Sequence, residues 1–180
     1  MKPALTPAIR HATPADASSL AAFAAEVFPL GCPETAPEDL AAYITSELTP
    51  ARFLTLLDDP NIFVLLAESS QRIVAYMLVA RRSPHPALSG PASAEFRKLY
   101  LDPACHGTGL SSALLHCALS ILNAEGPRPI WLSAFSENPR AIAFYKKWGF
   151  QIVGSQEFLV GTDRHKDFLM LRPASEFLTH

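Results

Sequence analysis

Two short stretches hold residues whose types and spacing could do chemistry. The first is LYLDPACHGTGLSSALL, residues 99–115. A strand ending at Leu101 meets Asp102-Pro103, and a tight turn, His106-Gly107-Thr108-Gly109, opens directly into an amphipathic helix. Glycines allow positive φ and let a backbone approach a ligand closely. The first N–H groups of a helix have no internal partner, and the helix dipole adds about half a positive charge there. The run from His106 through Gly107, Thr108, Gly109, Leu110, Ser111 and Ser112 therefore has the makings of a pyrophosphate site. It is neither common nucleotide loop. GxGxxG requires a glycine where Ser112 stands, and GxxxxGK[ST] requires a lysine that is absent. Taken alone, the stretch reads equally as a structural strand-to-helix turn. The second stretch is NPRAIAFYKKWGF, residues 138–150. Asn138 and Tyr145 are about two helical turns apart, so both project from one stripe. A phenol so placed can deliver a proton into a cleft.

Totals narrow the field. The chain has 180 residues, 49% hydrophobic and 18% charged, which suits a single globular domain over residues 1–180. A net charge of −2 gives no electrostatic footprint for nucleic acid or an anionic membrane. No apolar run approaches the roughly 20 residues of a membrane span, and the N-terminal stretch lacks a signal-peptide core. Three cysteines, Cys32, Cys105 and Cys117, form no CxxC pair, and there is no HExxH. Neither a disulfide framework nor a metal site is expected, and a reducing cytoplasm fits.

The elements that must position these residues are punctuated by 16 prolines. A strand near Ile9 leads to Thr13-Pro-Ala-Asp16, read as a capping box before an Ala-rich helix that ends near Pro29. Thr35-x-x-Glu38 and Thr49-Pro50 start two more helices. Strands follow at 61–68 and 72–80 with a hairpin turn at Ser69-Ser70-Gln71. Ser83–Ser93 reads as a mobile loop, and Glu95–Leu101 alternates like a strand. Residues 107–123 are predicted helical, with Leu110, Leu114, Leu115, Ala118, Leu119 and Leu122 on one stripe. A buried-type strand spans 129–135. Asn138 caps the next helix, which ends at Lys146-Lys147 and Gly149. Strands at 151–160 and 165–171 close the chain. The fold class is α/β (α+β): a mixed sheet flanked by helices.

Together the two stretches resemble a known family. The strand–PxxxGxG–helix segment, followed about 30 residues later by N-x-x-A-x-x-F-Y-x-x-x-G-F, is similar to the GNAT superfamily of acetyl-CoA-dependent N-acetyltransferases. The matching positions are Pro103, Gly107, Gly109, Asn138, Ala141, Tyr145, Gly149 and Phe150, and the element order agrees from about residue 8 to 172. Two positions depart from the pattern: His106, where Arg or Gln is usual, and Ser111, where Gly or Ala is usual. His106 either donates to phosphate or sits exposed on the turn. The C-terminal third, and Phe28 followed by PEDLAAYITSEL, also resemble a bacterial branch that includes polyamine N-acetyltransferases.

The resemblance implies a mostly antiparallel sheet of about seven strands and direct transfer of an acetyl group from acetyl-CoA to an amine, without a metal. A primary amine has pKa near 10, so roughly one in a thousand molecules is free base at pH 7 and a base is needed. Glu95 is the candidate base, or else a solvated strand-edge carboxylate. Backbone N–H groups around Leu99, Tyr100 and Leu101 would hold the oxyanion. Tyr145 would hold the thioester sulfur and protonate the departing thiolate. Asn138 either contacts the cofactor arm or serves only as N-cap. Glu34, Glu38, Asp39, Asp163 and Asp167 lie in segments expected to face the acceptor. A homodimer is common in the family. The alternatives are a non-catalytic acyl-CoA sensor on the same fold and, disfavoured by the missing lysine, a nucleotide-phosphate protein.

Overall fold

The structure is a computed structural model and describes residues 7–88 and 93–174. The strands are β1 (Ala8–His11), β2 (Ile62–Ser69), β3 (Arg72–Ala80), β4 (Ala94–Leu101), β5 (Ile130–Phe135), β6 (Gln151–Val160) and β7 (Asp163–Arg172). The helices are α1 (Ala17–Val27), α2 (Pro37–Glu47), α3 (Pro50–Asp58), α4 (Leu110–Ala124) and α5 (Pro139–Lys147). The strands form one seven-stranded sheet in the order β1-β2-β3-β4-β5-β7-β6. Every neighbouring pair is antiparallel except β4 and β5, which run parallel.

The central strands are apolar on both faces because each face is covered. One face carries Leu65, Met77, Phe96 and Leu132 against Leu114, Leu115 and Leu122 of α4, with Phe150. The other carries Leu66, Tyr76 and Leu78 against Leu20, Phe23 and Phe28 around α1 and Phe53 of α3. Each such side chain contributes roughly 1.5–3 kcal/mol on burial. All six residues of the expected α4 stripe are buried.

Two irregularities in β4 shape the centre of the molecule. First, β4 and β5 pair only at Ala94 with Ile130 and Glu95 with Trp131. Their outer neighbours continue to pair, β3 as far as Ala75 with Leu101 and β7 as far as Phe135 with Asp167. Beyond the paired end, β4 and β5 therefore face each other across a wedge with unladdered inner edges. Second, Phe96 lies opposite Val79 and Lys98 opposite Leu78, leaving Arg97 as an extra residue, a β-bulge. Strict alternation would place Glu95 with Leu99 and Leu101. The bulge instead sends Leu99 and Leu101 to the α4 face and Tyr100 to the α1 face.

Several boundaries differ from the sequence reading. α4 begins at Leu110, with Gly109 as a left-handed N-cap at φ 88°. Thr35 does not cap α2, whose N-cap is Ala36. Its hydroxyl is engaged by β7 instead, as described below. Residues 89–92 of the Ser83–Ser93 loop lie outside the described residues. The base of that loop is pinned: Ser83 N–H donates to Ser93 O at 2.7 Å, and Trp131 Nε1 donates to Ser83 O at 2.6 Å.

Candidate active site

The turn after β4 is built by left-handed glycines. Gly107 has φ 77° and Gly109 φ 88°, and a Cβ on either would meet no atom within 4 Å. The glycines are thus required by backbone conformation, and the space above them is open. Asp102 Oδ1 accepts from Ala104 N–H at 2.9 Å, and Thr108 Oγ1 donates to Cys105 O at 2.7 Å. The hydroxyl of Thr108 is therefore turned into the loop. The Leu110 side chain is buried in the core, while Ser111 and Ser112 are half-buried in the first turn of α4. Their amides belong to the helix start, which has no internal acceptor for them.

His106 does not stand alone. Its ring nitrogens lie 3.2 and 3.4 Å from the guanidinium nitrogens of Arg140 on α5. Burial, then the neighbouring Arg140 charge, holds the His106 pKa below its ordinary value. Two groups able to donate to an anion thus meet beside the glycine turn. Sequence reasoning missed Arg140, since nothing local signals a meeting that only the packing of α5 on the loop creates.

Tyr145 packs against the α4-side cluster, edge-on to Phe144 at 5.3 Å and Phe150 at 5.8 Å between ring centres. Burial pushes its pKa up to about 12, so the phenol stays protonated at neutral pH and can serve as an acid. Asn138 Oδ1 accepts from Ala141 N–H at 3.0 Å. Its side chain is engaged as the α5 cap.

Glu95 lies at the closed end of the wedge. Its Oε2 accepts from Ser83 Oγ at 2.6 Å and Arg97 Nε at 2.8 Å. Leu99 is four residues further along, about 10 Å at strand spacing after allowing for the bulge.

Across the sheet from α4, the wedge is flanked by side chains from α2, β4, β6 and β7. Phe28 stacks on Tyr43 at 4.4 Å, and Phe158 approaches Tyr43 edge-on at 5.9 Å. Tyr100 lies 5.7 Å from Tyr76 and 6.3 Å from Phe28. Lys98 Nζ sits 3.3 Å from the Tyr43 hydroxyl. Thr35 Oγ1 donates to Asp163 Oδ2 at 2.8 Å and lies 2.9 Å from His165 Nε2. Asp39 Oδ1 accepts from Thr162 N–H at 2.8 Å. These bonds clamp the start of α2 onto the β6–β7 hairpin. Asp167 is 7% exposed. Burial raises its pKa against the opposing hydrogen bond from Ser133 and the nearby His165. Cys32 is held as a thiol by burial and by the charges of Asp167 and Asp163, and Cys105 by burial and Asp102. Among the described residues, no cluster of three or more His, Cys, Asp or Glu could hold a metal.

The signature described as the Acetyltransferase (GNAT) family matches residues 25–150. The chain belongs to the GNAT acetyltransferase family. An uncharacterized N-acetyltransferase of Mycobacterium tuberculosis is 39% identical over 158 residues, covering 87% of this chain and 97% of that protein. The N-alpha-acetyltransferase RimI of the same organism is 30% identical over 105 residues, 58% of this chain and 62% of that one. Among solved structures, the PaiA N-acetyltransferase of Thermoplasma acidophilum, in complex with coenzyme A, superposes with TM-score 0.75. It is 19% identical, over 94% of this chain and 99% of that one, so it supports the GNAT fold. The expected mixed, mostly antiparallel sheet is the one observed. The chain is an N-acetyltransferase by family, and its acceptor is not specified by these relatives.

Proposed function

We propose that the chain transfers the acetyl group of acetyl-CoA directly to the amine of a small molecule or peptide. The observation that carries this reading is the open β4–β5 wedge, with the glycine turn at its mouth and Tyr145 beside it. The pyrophosphate would lie on the amides from Gly107 to Ser112, with His106 and Arg140 donating from the side. The pantetheine arm would enter the wedge and bond to the free inner edges of β4 and β5. The amine nitrogen attacks the thioester carbonyl carbon, and amides around Leu99–Leu101 hold the oxyanion. As the C–S bond breaks, the Tyr145 phenol passes its proton to the thiolate and regains one from solvent.

The amine proton has two candidate destinations. Glu95 Oε1 takes no hydrogen bond among the described residues, and its distance along β4 calls for a water between it and the acceptor. Asp167 is favoured by its burial and raised pKa, which suit a base closer to neutrality. Glu95→Gln and Asp167→Asn, assayed over pH 5–9, separate the two. The true base, when removed, erases the acidic limb of kcat/KM.

Of the five acids considered for a polyamine, Asp39 and Asp163 are hydrogen-bonded within the fold, and Glu34 and Glu38 are exposed. Asp167 remains. That supports one ammonium contact better than the series a polyamine presents. For a homodimer, the free edge strand β6 offers exposed Ile152, Val153 and Leu159. Three unpaired cysteines suit a reducing cytoplasm.

Calorimetry with CoA and a thiol-release assay with acetyl-CoA and an amine panel test the proposal. Binding together with amine-dependent release is expected. No heat with either CoA or acetyl-CoA refutes it, and binding without release on any amine favours an acyl-CoA sensor.

A further inference from the structure

Lys98 is a half-buried ammonium that takes part in no ion pair among the described residues. Its Nζ lies 5.5 Å from the ring centre of Tyr43 and 5.9 Å from that of Tyr100. Among the described residues its one hydrogen-bond partner is the Tyr43 hydroxyl. Glu47 is the acid whose charge reaches it, and that carboxylate is held by Arg52 at 2.8 Å. A charge withdrawn from water without a counter-ion is costly, and proteins normally pair it. Two aromatic faces offset part of this cost, about 0.5–2 kcal/mol. They face the cation's charge but leave its remaining N–H donors without acceptors among the described residues.

Position gives this isolated charge its meaning. Lys98 precedes Leu99 on the strand that borders the wedge, and the Arg97 bulge sends it to the face away from α4. The α4 face is filled by the core around Leu114, Leu115 and Phe150, so an amine would approach the acetyl group from the other face. On the same face, with β5 between, β7 carries Asp167, which also takes part in no ion pair among the described residues. One unpaired cation and one unpaired carboxylate flank the place of reaction. A polyamine would leave Lys98 unsatisfied and add positive charge beside it. A zwitterion satisfies both.

We infer that Lys98 docks a carboxylate of the acceptor, so that the preferred acceptor is an amine that also carries a carboxylate, as a free amino acid does. The inference rests on the acetyltransferase reading above and names its substrate class. Asp167 receives the acceptor's ammonium at the other end.

The test compares amino acids with their own carboxamides, alongside spermidine, with every rate referred to the free-base fraction of the amine, because removing the carboxylate also lowers the amine pKa. Thiol release from acetyl-CoA is followed for the wild type, Lys98→Met and Lys98→Arg. In the wild type the acids should exceed their amides in kcat/KM by about tenfold or more, the scale of a hydrogen bond to a charged group. Lys98→Met should collapse that ratio towards one, with CoA affinity retained. Lys98→Arg should restore most of it, which a purely structural role for the lysine would not do. Amides or spermidine used as well as the acids, or a preference that survives Lys98→Met, overturns the inference. So does CoA binding without acetylation of any acid in the panel. Absence of CoA binding altogether is a different failure, that of the acetyltransferase reading itself.

Discussion

Replacing Tyr145 with Phe removes one oxygen from a ring that is otherwise held by packing. The phenol makes no hydrogen bond among the described residues, and its contacts with Phe144 and Phe150 are ring contacts that phenylalanine keeps. No buried partner is orphaned, so the stability change should stay within about 0.5 kcal/mol. The catalytic effect should be large. General acid catalysis by a positioned side chain is worth about 10²–10⁴-fold, which is roughly 2.7–5.5 kcal/mol of barrier. A thiolate leaving unprotonated into a wedge walled by apolar side chains belongs near the upper half of that range. The assay is steady-state thiol release with a saturating amine, paired with calorimetric CoA binding and a thermal melt. Turnover should fall at least about a hundredfold, with melting temperature and CoA affinity preserved. The pH profile supplies a second check. With its pKa pushed up to about 12, Tyr145 remains in its acid form throughout pH 6–10. Any alkaline fall in the wild-type rate within that window must come from another group and should persist in the variant. Unchanged turnover in Tyr145→Phe, or loss of CoA binding equal to the loss of turnover, refutes the acid role.

Other substitutions probe the remaining parts. Gly109→Val forces a branched side chain to φ 88°, at a cost of about 1–2 kcal/mol or more in stability. It also fills the open space above the turn, so CoA affinity by calorimetry should drop about tenfold or more beyond any effect of the melt. Arg140→Ala should weaken CoA binding several-fold at low salt and less at high salt, since it removes a charge from the phosphate side of the loop. Lys98→Met should raise the melting temperature at pH 7. Burial lowers the Lys98 pKa to about 8 from the unfolded 10.5, so the unfolded chain holds the extra proton between those values. The Lys98 contribution to wild-type stability therefore rises with pH across that window, and the variant's advantage, on the order of 2 kcal/mol, should shrink from pH 8 to 10.5. The facing phenols of Tyr43 and Tyr100, both raised by burial, oppose this trend near pH 10 in wild type and variant alike, so the difference between the two proteins isolates Lys98. Gly161→Val should selectively raise KM for the amine. Gly161 has φ 59° and its Cβ would run into Asp39 Oδ1, loosening α2 from the β6–β7 hairpin while leaving CoA affinity intact.

Local chemistry made most of the fold and half of the site legible. The Asn138 cap, the Thr49 cap and the α4 stripe were readable because each depends on residues within a few positions of one another. The glycine turn was readable for the same reason, although its helix starts later than the glycines suggest. What escaped depends on contacts distant in the chain. Thr35 has the type and spacing of a helix cap, yet its hydroxyl meets Asp163 and His165, more than a hundred residues away. Thr35 is itself buried, and a hydroxyl there needs the β7 partner more than α2 needs a cap that water can replace. His106 and Arg140 come together only through the packing of α5. Asp167 could be named as an acid in the right segment, but its burial sets it apart from Glu34 and Glu38, and burial is a property of the assembled sheet.

The β4 bulge was the least legible feature and carries the most consequence. Read as a regular strand, EFRKLYL groups Glu95, Arg97, Leu99 and Leu101 on one face and puts Lys98 and Tyr100 with Phe96 on the other. The sheet's side-chain period is two, so a single extra residue at Arg97 reverses every assignment after it. Phe96 joins the α4-side core, while Lys98 and Tyr100 turn to the α1 side, the same side as Glu95 opposite Ala80. The polar groups on the acceptor side are therefore gathered there by one backbone irregularity. The same strand keeps Leu99 and Leu101 on the apolar face towards Tyr145. A regular β4 would bury the Lys98 ammonium among Leu114, Leu115 and Phe150, inside the apolar core and away from the Tyr43 and Tyr100 rings that now face it. The bulge is thus what lets one strand wall the β4–β5 wedge on one side and, in the proposed reaction, present a cation to the acceptor on the other.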